Sequence, residues 1–344
     1  MDSPFASPTP IRLLTIQHII RDPLPPVEWV VQPVVAKGER VLLYGEFGAL
    51  KSWLLLHMGL HIAAGKPWLE EFPVPKPRSV LYVDEEMTEH TVRLRLKQLV
   101  AGAGLPTDNV DFRVASREGV LMTEMGGRIL LDRVWKADYR PEVVVVDSMR
   151  ATLVGSENEQ EDVIAFWRAV EPILKAGITL VVTHHMRKPR EEGPDSNRYR
   201  ASGSTAIISG SDSAWAVTRH GQAPIATIEA IRIRLAKEPP PFTVEFTFEG
   251  DEGPVRAILG LPPEEASMGG QAALIILGVL EGRVGEPTAV LKAACEAEGI
   301  PVRTVERAIA SLEQQGRIAK VGGQRGVWAL KKEIQCAETR TNPL

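Results

Sequence analysis

Residues 40–56 read RVLLYGEFGALKSWLLL: an apolar run, a loop with glycines at 45 and 48, then Lys-Ser opening a second apolar run. A strand, a glycine-containing turn and a helix headed by Lys-Ser form a cradle for phosphate. Backbone N–H groups of the loop and of the helix N-terminus face an anion. Lys51 supplies a point charge for the outer phosphates, and Ser52 a hydroxyl for Mg²⁺, which prefers oxygen ligands. The candidate nucleotide-binding residues are therefore Gly45, Glu46, Phe47, Gly48, Ala49, Leu50, Lys51, Ser52 and Trp53. One position departs from the GxxxxGK[ST] pattern, because Leu50 stands where the pattern has glycine. Leucine there must take the same backbone without glycine's freedom. An ordinary strand-to-helix loop can carry the same letters, so the reading needs partners elsewhere in the chain.

Two segments supply them. VVVVDS (143–148) ends an apolar run on Asp147, the kind of acid that orders a Mg²⁺ hydration shell opposite a P-loop serine. Asp147 capping the next turn is the plainer alternative. SVLYVDEEM (79–87) ends on Asp84, Glu85 and Glu86, one of which is placed to polarise an attacking water. A solvated helix start capped by Thr88 would read the same way. The three segments together predict a nucleotide site with ATP and Mg²⁺ as its ligands.

Working outward, further apolar runs lie at 110–115, 178–183, 214–219, 226–233 and 242–248, with helical patterns between the earlier ones. Runs apolar on both faces and 30 or more residues apart predict an α/β fold with a mostly parallel sheet flanked by helices. The closer spacing of the later runs predicts antiparallel strands at one end of the sheet. A chain of 344 residues is long for one domain. The expected division is a P-loop domain over 1–260, a polar linker over 261–269, a small α+β domain over 270–332 and a disordered tail over 333–344. In the small domain, helices are expected at 270–282, 286–297 and 302–315. IAKV and VWAL then flank GGQRG, and three helices followed by a hairpin is the plan of a winged helix.

Composition narrows the remaining classes. With 44% hydrophobic and 24% charged residues the chain is globular, and a net charge of −4 gives no global basic field. Cys295 and Cys336 form no disulfide framework or metal spacing. The N-terminal segment lacks the basic-then-apolar order of a secretory signal. The longest apolar stretch, 52–65, is too short to span a bilayer. A cytoplasmic protein with no membrane partner is expected.

The ordered set of segments resembles the RecA-fold ATPases, and within them the RepA-like plasmid replicative helicase family. The resemblance runs from about 28 to 250. It rests on VEWVVQPVVAKGERVLLYG, GEFGALKSWLLL, AAGKPWL, VLYVDEEMTEHTVRLRL, VVVVDSMRATL, LVVTHHMRK and SGSTAIISGSDSAWAV. It implies Lys51 and Ser52 as phosphate and metal residues and Asp147 as the Walker B acid. The glutamate that handles water in such helicases closes the second strand before a Met, which implies Glu86 over Asp84 or Glu85. The residue sensing the γ-phosphate ends the strand after Asp147, which implies His184, with His185 second; a metal pair is disfavoured, as no acidic or cysteine ligands flank them. Arg232 and Arg234 alternate along a strand and so share a face. The resemblance makes them fingers reaching a neighbouring subunit's ATP, with Lys237 as fallback and ordinary solvent-face arginines as the alternative.

Partners follow from the same resemblance. The loop RKPREEGPDSNRYRASG holds Arg187, Lys188, Arg190, Arg198 and Arg200 against three acids. In relatives the matching loop lines a channel around single-stranded DNA; a solvated loop is the alternative. In the small domain, Arg303, Thr304 and Arg307 open the third helix, where a winged helix reads duplex DNA, with a protein-docking module as the alternative. Lys320 and Arg325 belong to the wing. Residues 270–332 hold nine Lys and Arg against six acids. The expected assembly is a homo-oligomeric ring, six-fold in the relatives' manner, driving DNA replication of a plasmid, phage or mobile element. An ATP-gated DNA-binding regulator or a recombination-type RecA-like ATPase without helicase activity is the alternative, and a small-molecule kinase a third.

Overall fold

The computed structural model describes residues 13–185, 205–261, 268–283, 285–314, 316–321 and 326–331. A short helix α1 (Ile16–Arg21) precedes a small antiparallel pair, β1 (Trp29–Val31) and β2 (Val35–Ala36). The chain then builds β3 (Arg40–Gly45), α2 (Lys51–Ala64), β4 (Val80–Asp84), α3 (Glu89–Ala103), β5 (Phe112–Ser116) and α4 (Gly126–Lys136). It continues with β6 (Val143–Asp147), α5 (Met149–Thr152), α6 (Gln160–Ala169), α7 (Glu171–Lys175), β7 (Thr179–His185) and α8 (Ala206–Ser209). Four strands close this region: β8 (Ser213–Arg219), β9 (Ile225–Ile233), β10 (Phe242–Phe248) and β11 (Val255–Leu259).

Among the described residues, nine strands share one sheet in the order β11-β10-β9-β8-β3-β7-β6-β4-β5. Pairing is parallel from β8 across to β5 and antiparallel from β8 out to β11. This is the RecA-like arrangement: the P-loop strand β3 lies centrally, and β6, which carries Asp147, is separated from it by β7. Alternate residues of each strand feed opposite cores. Val41 and Leu43 pack with α2 and α3 on one face, whereas Leu42 and Tyr44 pack with α4, α6 and α7 on the other. Covered on both faces, the central strands are apolar throughout, which is why they were legible as runs. β11 was not among the expected strands. VRAIL is short, carries Arg256, and owes its place to pairing with β10.

A separate core gathers Ile276, Leu280, Leu291, Cys295, Val305, Ile309, Leu312, Ile318 and Trp328. Its helices are Met268–Leu280, Thr288–Ala297 and Val302–Gln314. Its sheet has the order β12 (Glu286–Pro287), β14 (Val327–Leu330), β13 (Ile318–Lys320), with antiparallel pairing. The middle helix starts at Thr288 rather than at 286, because Glu286 and Pro287 pair with Trp328 and Val327. Cys295 is a buried free thiol, and Cys336 lies outside the described residues. Among the described residues, no helix is long and apolar enough to cross a membrane.

Candidate nucleotide site

The parallel strands point their C-terminal ends at one cleft of about 450 Å³ beside the β3–α2 turn. That edge is where open α/β sheets take their ligands. Gly45, the last residue of β3, is required by close approach: a Cβ there would lie 2.3 Å from the Val217 carbonyl oxygen of β8. Leu50 sits in the left-handed region, φ +66° and ψ +13°, immediately before α2. It therefore adopts the conformation for which glycine is the usual residue, at a cost of about 1–2 kcal/mol. Its side chain offsets this by packing against the core under the P-loop.

No side chain caps the N-terminus of α2, and its first turn carries no acid. The free N–H groups there, with the positive end of the helix dipole, open onto the cleft. Lys51 is buried, with Nζ donating to the carbonyl oxygens of Gly45 (3.0 Å) and Glu46 (2.9 Å). Burial lowers its ammonium to about 8, against the pull of Asp147, Glu86 and Glu46. A phosphate at the helix end would reverse that shift by adding negative charge. Phe47, at the loop tip, is 92% exposed and stacks on His185 at 6.2 Å. Trp53 meets Phe248 edge-on at 5.3 Å and carries the Arg95 guanidinium over its ring at 4.8 Å.

The three consecutive acids at the end of β4 diverge. Asp84 is fully buried, and its Oδ1 accepts from the backbone N–H groups of Glu86 (2.8 Å) and Met87 (2.7 Å). Burial raises its carboxyl to about 6. Glu85 turns away and accepts from the N–H groups of Gly119 (3.2 Å) and Val120 (2.9 Å). Glu86 enters the cleft, where its Oε1 accepts from the Ser148 hydroxyl and lies 3.7 Å from His185 Nε2. His185 and Ser148 hold its carboxyl down at about 2. Asp147 lines the same cleft and accepts from the hydroxyls of Tyr82 and Thr183, each at 2.6 Å.

Strand phase separates the two histidines. His184 pairs in register with Tyr44, is fully buried, and does not line the cleft. Thr183 and His185, the residues on either side, do line it. Of the two histidines, His185 is the one at the cleft. Arg232 and Arg234 lie at the far end of the sheet from this cleft. β9 runs antiparallel to β8, and Arg232 pairs with Ala214 near the start of β8. Arg232 donates to the Ser209 carbonyl at 3.3 Å, and Arg234 pairs with Asp212 at 3.5 Å. Neither touches the phosphate cradle of its own chain.

Sequence reasoning missed three cleft residues, Thr183, Arg95 and Arg219, and the buried Tyr82 behind Asp147. Arg219 ends β8 and donates to the Gly48 carbonyl at 3.2 Å, tying the P-loop to the neighbouring strand. Its position at the end of the run AWAVTR was the available signal. Arg95 carries no such mark, since only the packing of α3 turns it inward.

In the small C-terminal unit, Arg303 and Arg307 are exposed on the helix Val302–Gln314, whereas Thr304 is half-buried. Lys320 pairs with Glu313 at 3.1 Å and lies 5.1 Å over the Trp328 ring. Arg187, Lys188, Arg190, Arg198, Arg200 and Arg325 lie outside the described residues, as do most of the expected linker and the expected tail.

This fold and this cleft define a P-loop ATPase. Residues 6–191 match the family described as the AAA domain, over more than half of the chain. The chain belongs to that family. Among solved structures it is similar to the KaiC-like protein PH0186 of the hyperthermophilic archaeon Pyrococcus horikoshii OT3. The two share 13% identity and a TM-score of 0.46, over 67% of this chain and 94% of that one. No curated protein matches the chain.

Proposed function

We propose that the chain is a Mg²⁺-dependent ATPase of the RepA-like helicase type, which assembles into a homohexameric ring and moves on single-stranded DNA during replication of a plasmid, phage or mobile element. The observation that carries the ATPase part is the convergence of Lys51, Ser52, Glu86 and Asp147 on one cleft at the strand ends. Ser52 and Asp147 offer an all-oxygen donor set opposite the helix N-terminus, which fits Mg²⁺. Bound there with ATP, the ion would neutralise charge developing on the phosphates.

Lys51 is placed to leave its two carbonyl partners for the γ-phosphate. Glu86 is placed to orient the attacking water. A carboxylate held at about 2 is a weak base at neutral pH, so Glu86 acts by orienting and polarising water unless nucleotide frees it from Ser148 and His185. His185 touches Glu86 and Phe47 and is the last described residue before the basic loop. The proposed DNA-contacting loop follows it directly in sequence.

Arg232 and Arg234, which lie away from the cleft of their own chain, are read as fingers for a neighbour's nucleotide. The C-terminal unit, with its helix-strand-helix-helix-strand-strand order, is read as a winged helix that presents Arg303 and Arg307 to duplex DNA. The protein is taken to work in the cytoplasm.

The test is ATP turnover with and without single-stranded DNA, beside native mass. DNA-stimulated hydrolysis by a hexamer, abolished in Lys51→Ala, is expected. Turnover indifferent to DNA, with tight duplex binding, would point instead to an ATP-gated regulator. Stimulated hydrolysis without strand separation would point to a recombination-type ATPase.

A further inference from the structure

Tyr82 sits on β4 with no access to solvent, and its register partner on β6 is Val145, two residues before Asp147. Alternate residues share a face, so Tyr82 and Asp147 are diagonal neighbours across this strand pair, within reach of a long side chain. Tyr82 Oη donates to Asp147 Oδ2 at 2.6 Å. From the opposite side, Thr183 Oγ1 on β7 donates to Asp147 Oδ1, also at 2.6 Å. Both donors are fully buried, and both distances belong to strong hydroxyl-to-carboxylate bonds. The Tyr82 ring is accounted for by the core, where it packs 6.2 Å from Phe112. Phenylalanine would fill that space equally well. The hydroxyl is the part that packing does not explain, because a buried hydroxyl costs free energy unless it has a partner.

We propose that Tyr82, together with Thr183, is a positioning residue for Asp147: hydroxyls from the two flanking strands fix the carboxylate plane so that its remaining lone pairs face the metal side of the cleft. One hydroxyl alone would leave the carboxylate free to turn about its last bond. Two, from opposite sides, hold it in one plane. Losing a hydrogen-bond partner of a metal-binding group typically costs about 10–100-fold in metal affinity. This inference rests on the nucleotide-site reading above.

The test compares two affinities of the full chain. One is for Mn²⁺ with ADP bound, read by electron paramagnetic resonance of the free ion. The other is for a fluorescent ADP derivative in metal-free buffer. Tyr82→Phe should weaken Mn²⁺ binding about 10-fold or more while metal-free nucleotide affinity stays unchanged. In an Asp147→Asn background the same substitution should cost little further, since groups that act as one unit are not additive. Thr183→Val, similar in shape but without the hydroxyl, should reproduce the loss and serves if Tyr82→Phe does not fold. Wild-type Mn²⁺ affinity in the folded variant, or an equal loss in the Asp147→Asn background, overturns the positioning role alone. A wild-type chain that binds no ADP overturns the nucleotide site, and this role with it.

Discussion

Asp84, Glu85 and Glu86 follow one another at the end of β4. The turn there sends Asp84 inward to its own backbone, Glu85 across to residues 119–120 and Glu86 into the cleft. Glu86→Gln should therefore bind ATP but turn it over about 10²–10⁴-fold more slowly, in single-turnover assays. Glu85→Gln should leave turnover near wild type and lower the melting temperature, because it weakens the hold on Gly119 and Val120. A reversal of those two outcomes would reassign the water-orienting role. Asp84 gives a pH prediction. Its folded carboxyl sits near 6 against an ordinary 3.8, so the folded state binds the extra proton between those values. Stability from this group is present below the lower value and is lost as pH rises through the higher one. Asp84→Asn keeps the Oδ1 acceptor and removes the buried charge. Its stability relative to wild type should rise by about 3 kcal/mol between pH 3.5 and 7, measured by urea unfolding.

Between elements, the decisive fact is that each strand end is completed by its neighbours. β3 supplies the turn, β6 supplies Asp147, and β7 and β8 supply His185 and Arg219, while α3 turns Arg95 over Trp53. Parallel pairing brings these ends to one edge without any of them being close in sequence. Among the described residues, the helix Val302–Gln314 has one buried and one exposed face. Its buried face, Val305, Ala308, Ile309 and Leu312, leaves Arg303 and Arg307 outward. Glu306 between them is neutralised by Lys292 at 2.6 Å, so the outward face is net basic. Replacing both arginines by alanine should weaken duplex DNA binding. If both touch phosphate, it should also lower the slope of log affinity against log salt by about two, read by fluorescence anisotropy. An unchanged slope would reject phosphate contact by this helix.

For the molecule as a whole, the proposed ring makes a prediction that no single chain can satisfy. Subunits carrying Arg232→Ala and Arg234→Ala keep an intact cradle, and Lys51→Ala subunits keep intact arginines. Mixed in one ring, they should recover part of the ATPase activity that each lacks alone; no recovery in a mixed hexamer would reject fingers acting in trans. The cradle and the arginines are legible in the sequence for different reasons. Gly45 and Asp147 declare themselves because each closes an apolar strand, and Lys51 and Ser52 because they open an apolar helix, both of which are local patterns. Arg232 and Arg234 declare a shared face, but their distance from the cleft follows from β9 running antiparallel to β8, which no local pattern records.

The sequence by itself determined the strands buried on both faces, the turn that cradles phosphate, and the acids that end β4 and β6, since these depend on periodicity and on backbone geometry within a few residues. Tertiary structure decided which of two adjacent glutamates enters the cleft, that His185 and not His184 reaches it, and that Tyr82 and Thr183 grip Asp147. Those choices depend on strand phase and register across the sheet. A shift of one residue sends a side chain to the opposite face, and only the assembled sheet fixes that shift.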